Sequence, residues 1–189
     1  NLVTNATGLQ VSAHMFTDSG NSSVLGGQVS LTTVAGVATF TDLRVNAAGS
    51  YLMLFVCPSV IATLSQTFGV TVGPAASLSI LQRPMTVTAA AVMGTWSVGV
   101  VDLGGNLVQS STAAVLVAPS ADVALGTSLV AAVAGKANFT DLVMNKAGLR
   151  VLLFTSTGLM PALSDAFNVS VGPAHHLEVV VQPGGASGG

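Results

Sequence analysis

The sequence predicts an all-β protein that consists of two antiparallel β-sandwiches in tandem. Residues 34–84 match residues 133–183 without a gap, and 23 of these 51 positions are identical, which indicates an internal repeat. The period of 99 residues is close to the length of one sandwich domain, about 100 residues. Gly, Asn and Pro interrupt the chain into short apolar runs, which are typical of strands rather than helices.

The repeat divides the chain into three predicted domains. Residues 1–74 are a repeat that is truncated at its N-terminus, because residues 1–3 align with residues 106–108. Residues 75–172 are one complete repeat. Residues 177–183 restart the pattern of residues 78–84, so we assign residues 173–189 to the start of a third repeat. We therefore expect the chain to be part of a much longer array.

The apolar runs and the turn residues between them predict the strands. The predicted strands of the first repeat are 9–16, 28–33, 37–40, 50–56 and 67–72. Those of the second repeat are 78–81, 86–90, 95–101, 113–117, 128–133, 136–139, 149–155 and 166–171. Trp96, Val98 and Val100 alternate along one strand, so we expect them to point into the core. Residues 102–106 predict a tight turn.

The junctions between repeats are short. They are Gly73-Pro74 after the first repeat and Gly172-Pro173 after the second. Proline fixes its own φ angle and does not continue a helix. We therefore expect neighbouring repeats to lie end to end with restricted swing, as in a rod rather than in beads on a loose string.

The composition leaves few charges to cover the surface. Only 6% of residues are charged and the mean hydropathy is +0.74, against about 25% charged residues in ordinary soluble domains. Glycans or neighbouring subunits would shield such a surface; the alternative is that Ser and Thr solvate an Ala/Gly/Val-rich exterior. The net charge of −2, with five scattered Lys and Arg residues, argues against binding to nucleic acid or to an anionic membrane surface.

Several motifs of the second repeat resemble a known family. They are the turn at residues 100–106, Gly-x-Ala-x-Phe-Thr-Asp-Leu at 135–142, Ala-Gly at 147–148, and Phe-x-Val-x-Val-Gly-Pro-Ala at 167–174. They resemble the tandem Ig-like repeats of large extracellular surface proteins, of the bacterial-Ig-like and adhesin type. The composition is also similar to that of algal or protist surface and flagellar glycoproteins. The resemblance implies Ig-like sandwiches, an extracellular or cell-surface location, and a role in a stalk, filament or adhesin.

The single cysteine and the length of the apolar runs restrict the class of protein further. Cys57 has no partner in the chain, so the chain lacks an internal disulfide and the Cys-Trp-Cys framework of antibody domains. We expect a buried or half-buried thiol, with an intermolecular disulfide as the alternative. No uninterrupted apolar run reaches the length of a membrane-spanning helix, so we expect no membrane insertion in this segment.

Four Asn-x-Ser/Thr sequences are candidate glycosylation sites: Asn5, Asn21, Asn138 and Asn168. Asn138 and Asn168 are out of phase with their apolar neighbours, so the period of two places both side chains on solvent-facing sides of strands. Asn21 lies in a polar loop. We expect these sites to carry glycans, which would also supply a polar coat; the alternative is unmodified surface asparagine.

No set of residues predicts catalysis, a metal site or a cofactor site. Asp42 and Asp141 occur in both repeats, where Thr-Asp-Leu predicts a turn in which the carboxylate bonds its own backbone. The Gly-Pro-Ala linkers offer no carboxylate for a calcium-bridged joint. His175 and His176 are adjacent, and on a strand they would point to opposite faces. We therefore expect no enzymatic activity, no metal and no cofactor.

Three functions remain as hypotheses. The first is a structural segment of a large glycosylated array that forms a stalk, filament or surface coat, with sister chains or neighbouring subunits as partners. The sparse charge and strands 51–56 and 149–154, apolar on both faces, favour it. The second is an adhesin-type module that recognises a sugar or a protein through its loops, which requires an exposed cluster at one end. The third is an accessory domain of an enzyme.

Overall fold

The computed structural model describes residues 3–16, 25–58, 60–119, 124–174, 177–181 and 184 of the 189-residue chain. Within these residues every regular element is a β-strand, and none is an apolar helix long enough to cross a membrane. Gly, Pro and Asn interrupt the apolar runs, which keeps most strands short. We name the part that contains residues 10–70 the N-terminal half and the part that contains residues 77–170 the C-terminal half.

Seven strands lie within the described residues of the N-terminal half. Their bounds are β1 (Gln10–Phe16), β2 (Leu25–Gly26), β3 (Ser30–Thr32), β4 (Arg44–Val45), β5 (Gly49–Cys57), β6 (Val60–Leu64) and β7 (Phe68–Val70). The main sheet has the order β3-β1-β5-β6, with β7 also paired to β5, while β2 and β4 form a separate pair. All of these pairings are antiparallel.

Twelve strands lie within the described residues of the C-terminal half. Their bounds are β8 (Ser77–Gln82), β9 (Val87–Thr88), β10 (Trp96–Val101), β11 (Ala114–Pro119), β12 (Ala124–Leu125), β13 (Leu129–Ala131), β14 (Lys136–Phe139), β15 (Val143–Met144), β16 (Gly148–Arg150), β17 (Leu152–Thr155), β18 (Ala162–Leu163) and β19 (Phe167–Ser170). They form the sheets β14-β10-β8, β13-β11-β17-β18, β16-β19-β9 and β12-β15.

The strand order of the C-terminal half is that of an Ig-like sandwich. The sheet β14-β10-β8 corresponds to strands E-B-A, and the sheet β13-β11-β17-β18 corresponds to C′-C-F-G. The short strand β9 runs parallel to β19, as the continuation of strand A does beside strand G. The predicted all-β, Ig-like fold class is therefore confirmed. The domain boundaries at residues 74 and 172 remain a prediction, although among the described strands no sheet joins the two halves.

The core of the C-terminal half is built around β10. Trp96, Val98 and Val100 are fully buried, as their alternation predicted. The Trp96 ring lies 5.8 Å from the ring of Phe154 and 5.4 Å from that of Phe167. Both phenylalanines belong to strands outside the sheet that contains β10, so the indole joins the layers of the sandwich. Truncation of a buried aromatic side chain in such a position to alanine lowers the free energy of unfolding by about 3–5 kcal/mol.

The two halves contain the same ring pair at positions 99 residues apart. The ring centroids of Phe40 and Phe55 lie 5.6 Å apart, and those of Phe139 and Phe154 lie 5.5 Å apart. The second pair is fully buried, whereas both rings of the first pair are only half-buried. The same ring pair is therefore shielded from solvent in the C-terminal half and partly exposed to solvent in the N-terminal half.

A serine makes the same pair of hydrogen bonds in each half. The hydroxyl of Ser65 accepts the N–H of Met53 at 2.9 Å, and the hydroxyl of Ser164 accepts the N–H of Leu152 at 2.9 Å. The backbone N–H of each serine donates in return to the carbonyl of the same partner, at 2.8 and 2.9 Å. The sequence repeat is thus also a repeat of hydrogen bonding between strands.

Two of the predicted strands differ from the observed ones, and the five-residue strand β6 was not predicted. Residues 37–40 do not form a strand, because the described N-terminal half contains no counterpart of β10, with which the equivalent strand β14 pairs. Predicted strand 149–155 is divided at Val151 into β16 and β17. Strand β6 was not predicted, because Pro58 breaks the apolar run in which the β5–β6 hairpin lies.

The turn after β13 contains a residue that is strained by its conformation. Ala134 has φ 49° and Gly135 has φ 76°, and Val133 and Lys136 exchange two hydrogen bonds across them. Two central residues with positive φ form the type I′ turn that favours Asn-Gly. Alanine lacks the side-chain hydrogen bonds that let asparagine adopt this left-handed region at lower cost.

We expect Ala134→Asn to raise the free energy of unfolding by about 0.5–1 kcal/mol, because asparagine tolerates the positive φ that strains alanine. Urea denaturation followed by the fluorescence of the single tryptophan measures the change. Ala166→Asn is the control, because Ala166 is exposed and has no positive φ, and it should give no gain. Equal effects of the two substitutions would contradict the strain argument.

Candidate functional site

The described residues bring their densest set of side-chain hydrogen bonds together where the two halves meet, and we name this region the joint (residues 46–48, 73–74 and 102–106). Asp102 follows β10 directly and is buried. Its Oδ1 accepts the backbone N–H of Gly104 at 2.9 Å and of Asn106 at 2.8 Å, while its Oδ2 accepts the N–H of Gly73 at 2.7 Å. One carboxylate therefore shapes the turn and also holds the linker.

The side chain of Asn106 connects the two halves. Its Nδ2 donates to the carbonyl oxygen of Asn46 at 2.7 Å, and its Oδ1 accepts the N–H of Ala48 at 2.8 Å. The same Nδ2 lies 3.0 Å from both carboxylate oxygens of Asp102. The amide thus bonds the backbone of the N-terminal half while the carboxylate of the C-terminal half holds it in place.

Hydrogen bonding determines the ionisation of Asp102. Burial alone would raise the pKa of this carboxyl, but N–H groups of Gly73, Asn106 and Gly104 and the amide of Asn106 outweigh burial and hold the pKa below its ordinary value. The charged form is therefore the one that the joint stabilises. Because both oxygens already accept N–H groups, the carboxylate at this joint is fully used as a hydrogen-bond acceptor.

Gly104 allows the close approach of the two halves. A Cβ atom at this position would overlap the carbonyl oxygen of Asn46 and crowd the amide of Asn106. Gly104 does not have a positive φ, so its own backbone would accept alanine. The requirement for glycine here comes from contact between the halves and not from the local turn.

The sequence predicted the turn at residues 102–106 but not its role in the joint. The partners of Asn106 are Asn46 and Ala48, about sixty positions earlier, and no local pattern reveals such a separation. The signal that was available is the repeated Asn-x-Ala-Gly at residues 46–49 and 145–148. The linker itself holds no carboxylate, as expected, yet Asp102 brings one to it.

The repeated aspartates have the predicted structural role, and Asp141 bonds its own backbone as predicted, but each carboxylate also bonds an earlier turn. Asp42 accepts the N–H of Gln28 at 3.0 Å, and Asp141 accepts the N–H of Thr127 at 3.0 Å and its hydroxyl at 2.8 Å. Each carboxylate therefore closes a turn 14 positions earlier. Hydrogen bonds from the hydroxyl and the N–H of Thr127 lower the pKa of Asp141.

The candidate glycosylation sites that the structure describes are exposed. Asn138 lies in β14 and Asn168 in β19, and in both strands the asparagine alternates with inward-facing residues, as predicted. Asn5 is exposed in a turn near the N-terminus. Asn21 lies outside the described residues. Exposure permits attachment of a glycan, and attachment itself remains a prediction.

The outer face of the sheet β13-β11-β17-β18 carries an apolar stripe. Its exposed members are Leu116, Leu129, Leu153 and Leu163. The register pairs Leu116 with Leu129 and Leu153 with Leu163, so these side chains lie on one face, opposite the buried residues of the same strands. We name these four residues the outer leucines. Contiguous exposed apolar surface of this kind is a candidate for an interaction site.

The N-terminal half contains an open apolar groove of about 470 Å³. Six of its lining residues are Val3, Leu9, Val11, Phe55, Val60 and Ile61. The groove lies on the inner face of the β3-β1-β5-β6 sheet, where the facing sheet covers the equivalent residues of the C-terminal half.

The remaining candidate residues are not brought together. Among the described residues no group of three His, Cys, Asp or Glu side chains is placed to hold a metal ion. Cys57 is half-buried at the end of β5, which agrees with the predicted environment of the thiol. His175 and His176 lie outside the described residues.

Comparisons with known proteins concern the fold. No family model matches the chain, and no curated protein matches it. Among solved structures, the chain is similar to a beta-glycosidase from Bacteroides vulgatus, with 13% identity and a TM-score of 0.46 over 86% of this chain and 21% of that one. It is also similar to the D0-D1 domain of Intimin, with 16% identity and a TM-score of 0.40 over 87% and 82% of the two chains. This chain thus spans about a fifth of the glycosidase.

We expect Asn106→Ala and Gly104→Ala to loosen the joint. The first substitution removes the bonds to Asn46 and Ala48, and the second inserts a methyl group between the halves. Each should therefore weaken the contact between the halves by about 1–3 kcal/mol. Spin labels on the exposed residues 39 and 140, in a Cys57→Ser background, measure the distance between the halves. The distance distribution should broaden in both variants.

Gly69→Ala is the matched control for the joint variants. A Cβ atom at Gly69 meets no atom within 4 Å, and this glycine has no positive φ. The substitution should leave the distance distribution unchanged. Joint variants with the same narrow distribution as the control would show that the hydrogen bonds do not restrict the swing.

The pKa of Asp102 predicts how the joint depends on pH. Because the folded pKa is lower than the unfolded value of about 3.9, the stabilisation is complete above that value and is lost as pH falls through the folded pKa. The difference in unfolding free energy between the wild type and Asp102→Asn should be constant from about pH 7 to about pH 5 and should shrink below about pH 4. A difference that is unchanged at low pH would contradict this assignment.

Proposed function

We propose that this chain is a structural segment of a large extracellular, glycosylated Ig-like array that forms a stalk, a filament or a surface coat. The observation that carries the proposal is the hydrogen-bonded joint, in which Asn106 bonds the backbone of one half while Asp102 bonds the linker. Inter-domain contacts of small size usually permit relative motion. Bonds on both sides of the linker restrict that motion, which is what a spacer or a load-bearing element requires.

The construction of the joint supports a mechanical role. Its donors and acceptors are backbone groups and two short side chains, which lose little conformational entropy when they are held in place. Asp102 is buried, so water competes less for its hydrogen bonds than at an exposed ion pair. A joint of this kind keeps its geometry over a range of salt concentrations, as an extracellular element needs.

The outer leucines support lateral packing in such an array. They form one apolar face on the sheet of β11 and β17, and the chain has few charged residues with which to surround that face. Burial against a sister chain or a neighbouring subunit would contribute about 25 cal/mol for each Å² of apolar surface removed from water. Sister chains or neighbouring subunits are therefore the proposed partners.

The candidate glycosylation sites support a division of the surface. Asn138 is exposed on β14, in the sheet opposite the one that carries the outer leucines, and Asn168 is exposed on β19. Glycans at Asn138 would cover the first sheet with polar groups and leave the second free for packing. In this arrangement the sugars and the sister chains protect different faces of the same sandwich.

The test is expression of the full chain in the secretory pathway of a eukaryotic cell, followed by measurement of the intact mass before and after enzymatic deglycosylation. Asn138→Gln and Asn168→Gln should each remove the mass of one glycan. Asn145→Gln is the control, because Asn145 is exposed but is not followed by Ser or Thr at the second position. A secreted chain without glycans that remains a monomer at high concentration would contradict the proposal.

A further inference from the structure

We propose that the outer leucines bind the same face of a second copy of this chain, in a face-to-face contact that has two-fold symmetry. The inference deepens the proposed function and rests on it for its biological meaning. A sister chain and a different neighbouring subunit are both partners that the proposed function allows for this face. The arrangement of large and small side chains on the face selects the sister chain.

The outward positions of the four strands carry no charge among the residues that the structure describes. Besides the outer leucines, the register of β13-β11-β17-β18 directs four small residues to this face: Ala114, Ala118, Ala131 and Thr155. An apolar centre that is depleted of charged residues is the composition of homodimer interfaces. The face therefore offers no ion pair to a charged partner, whereas a second copy of itself matches its polarity.

The register also arranges the side chains of the face in two rows across the strands. The first row is Ala118, Leu153 and Leu163, and the second row is Leu129, Leu116 and Thr155. In the strand order β13-β11-β17-β18, the first row reads small, large, large and the second row reads large, large, small. Each row thus contains two leucines and one smaller residue, and the two rows have opposite orders.

This pattern makes the face complementary to itself. A second copy, rotated by 180° about an axis parallel to the strands, presents each row in reverse order. Leu153 then lies opposite the partner's Ala118, and Leu116 lies opposite the partner's Thr155. Large side chains of one copy thus fit over small ones of the other, as in the interdigitated faces of stacked sheets. Such self-complementarity is what an isologous, two-fold interface requires.

The N-terminal half shows that the fold does not require leucine at these positions. Ala13 pairs with Phe55 as Val117 pairs with Phe154, so the residue before Ala13, Ser12, occupies the position of Leu116. Ser30 is the equivalent of Leu129, and the hydroxyls of Ser12 and Ser30 lie 3.3 Å apart. The same sheet thus forms with a polar pair at this place, so the exposed leucines are not needed to form it.

The size of the face predicts a weak and reversible dimer. Four strands and the six residues of β11 cover about 400 Å², at about 4.8 Å between strands and about 3.3 Å per residue. A stable interface of standard size buries about 800 Å² on each partner. In an array the same contact would be made by many units at once, and linked weak contacts add to a strong one.

The first test gives the C-terminal half the residues that the N-terminal half already carries. The double variant Leu116→Ser/Leu129→Ser should fold, which the fluorescence of Trp96 checks. In sedimentation equilibrium of the full chain, the wild type should show a reversible equilibrium between monomer and dimer. The dissociation constant of the double variant should be at least about tenfold higher.

Leu81→Ser is the matched control for the double variant. Leu81 is 46% exposed, against 43% for Leu116, and it belongs to β8 in the opposite sheet. The substitution removes a leucine of similar exposure from a face that the proposal does not use. Its dissociation constant should equal that of the wild type.

The second test distinguishes a two-fold contact from any other. In the proposed arrangement residue 116 of each copy lies in the same row, beside the axis and next to its counterpart. Leu116→Lys and Leu116→Asp chains should each dimerise weakly, because like charges meet at the axis. An equimolar mixture should dimerise at least about tenfold more tightly than either variant alone. Each change affects one exposed side chain, so this test remains available if the double serine variant does not fold.

Three results would each overturn the proposal. The wild type could stay monomeric at all concentrations, the double variant could dimerise as the wild type does, which would assign the contact to another face, or the mixture of charged variants could show no gain. A monomer that is glycosylated and keeps a narrow distance distribution at the joint would overturn only this inference. A dimer through the outer leucines without glycans and with a flexible joint would support it and contradict the proposed function.

Discussion

The burial of β10 between its neighbours is the constraint on which the rest of the structure depends. In the C-terminal half this strand pairs with β14 and β8 and places Trp96 against the facing layers. All six of its residues are buried. The described N-terminal half has no such strand, and its equivalent rings, Phe40 and Phe55, are half-buried although they pack at the same distance. Among the described residues, the half that contains this strand has a closed core and the half without it has an open groove.

The sequence allowed prediction of the features that depend on local pattern. The repeat, the all-β class, the inward row of Trp96, Val98 and Val100, and the outward direction of Asn138 and Asn168 all follow from periodicity and spacing. It did not allow prediction of features that need a distant partner. Residues 37–40 have a strand-like sequence but form no strand without a neighbour, since sheet formation depends on cross-strand packing.

Most carboxylates in the described part of the chain act as acceptors for backbone N–H groups. Asp42, Asp102 and Asp141 each bind a backbone N–H of a distant residue, and only Asp165 forms an ion pair between described residues, with Arg83. Surface ion pairs contribute little to stability, whereas a carboxylate that accepts N–H groups fixes the geometry of a turn. Three of the seven acidic residues therefore lie at places where a loop or turn must hold one shape.

The joint has a consequence for the geometry of any array in which it recurs. Asn145 and Ala147 repeat the positions of Asn46 and Ala48, so the backbone acceptor and donor of the junction are present again one period later. If each pair of successive units is related by the same rotation and translation, the array is a superhelix whose pitch is fixed by a few backbone atoms. A change of a few degrees in the angle between successive units, caused by a substitution at Gly104, would then accumulate with every unit and alter the length and handedness of the whole assembly.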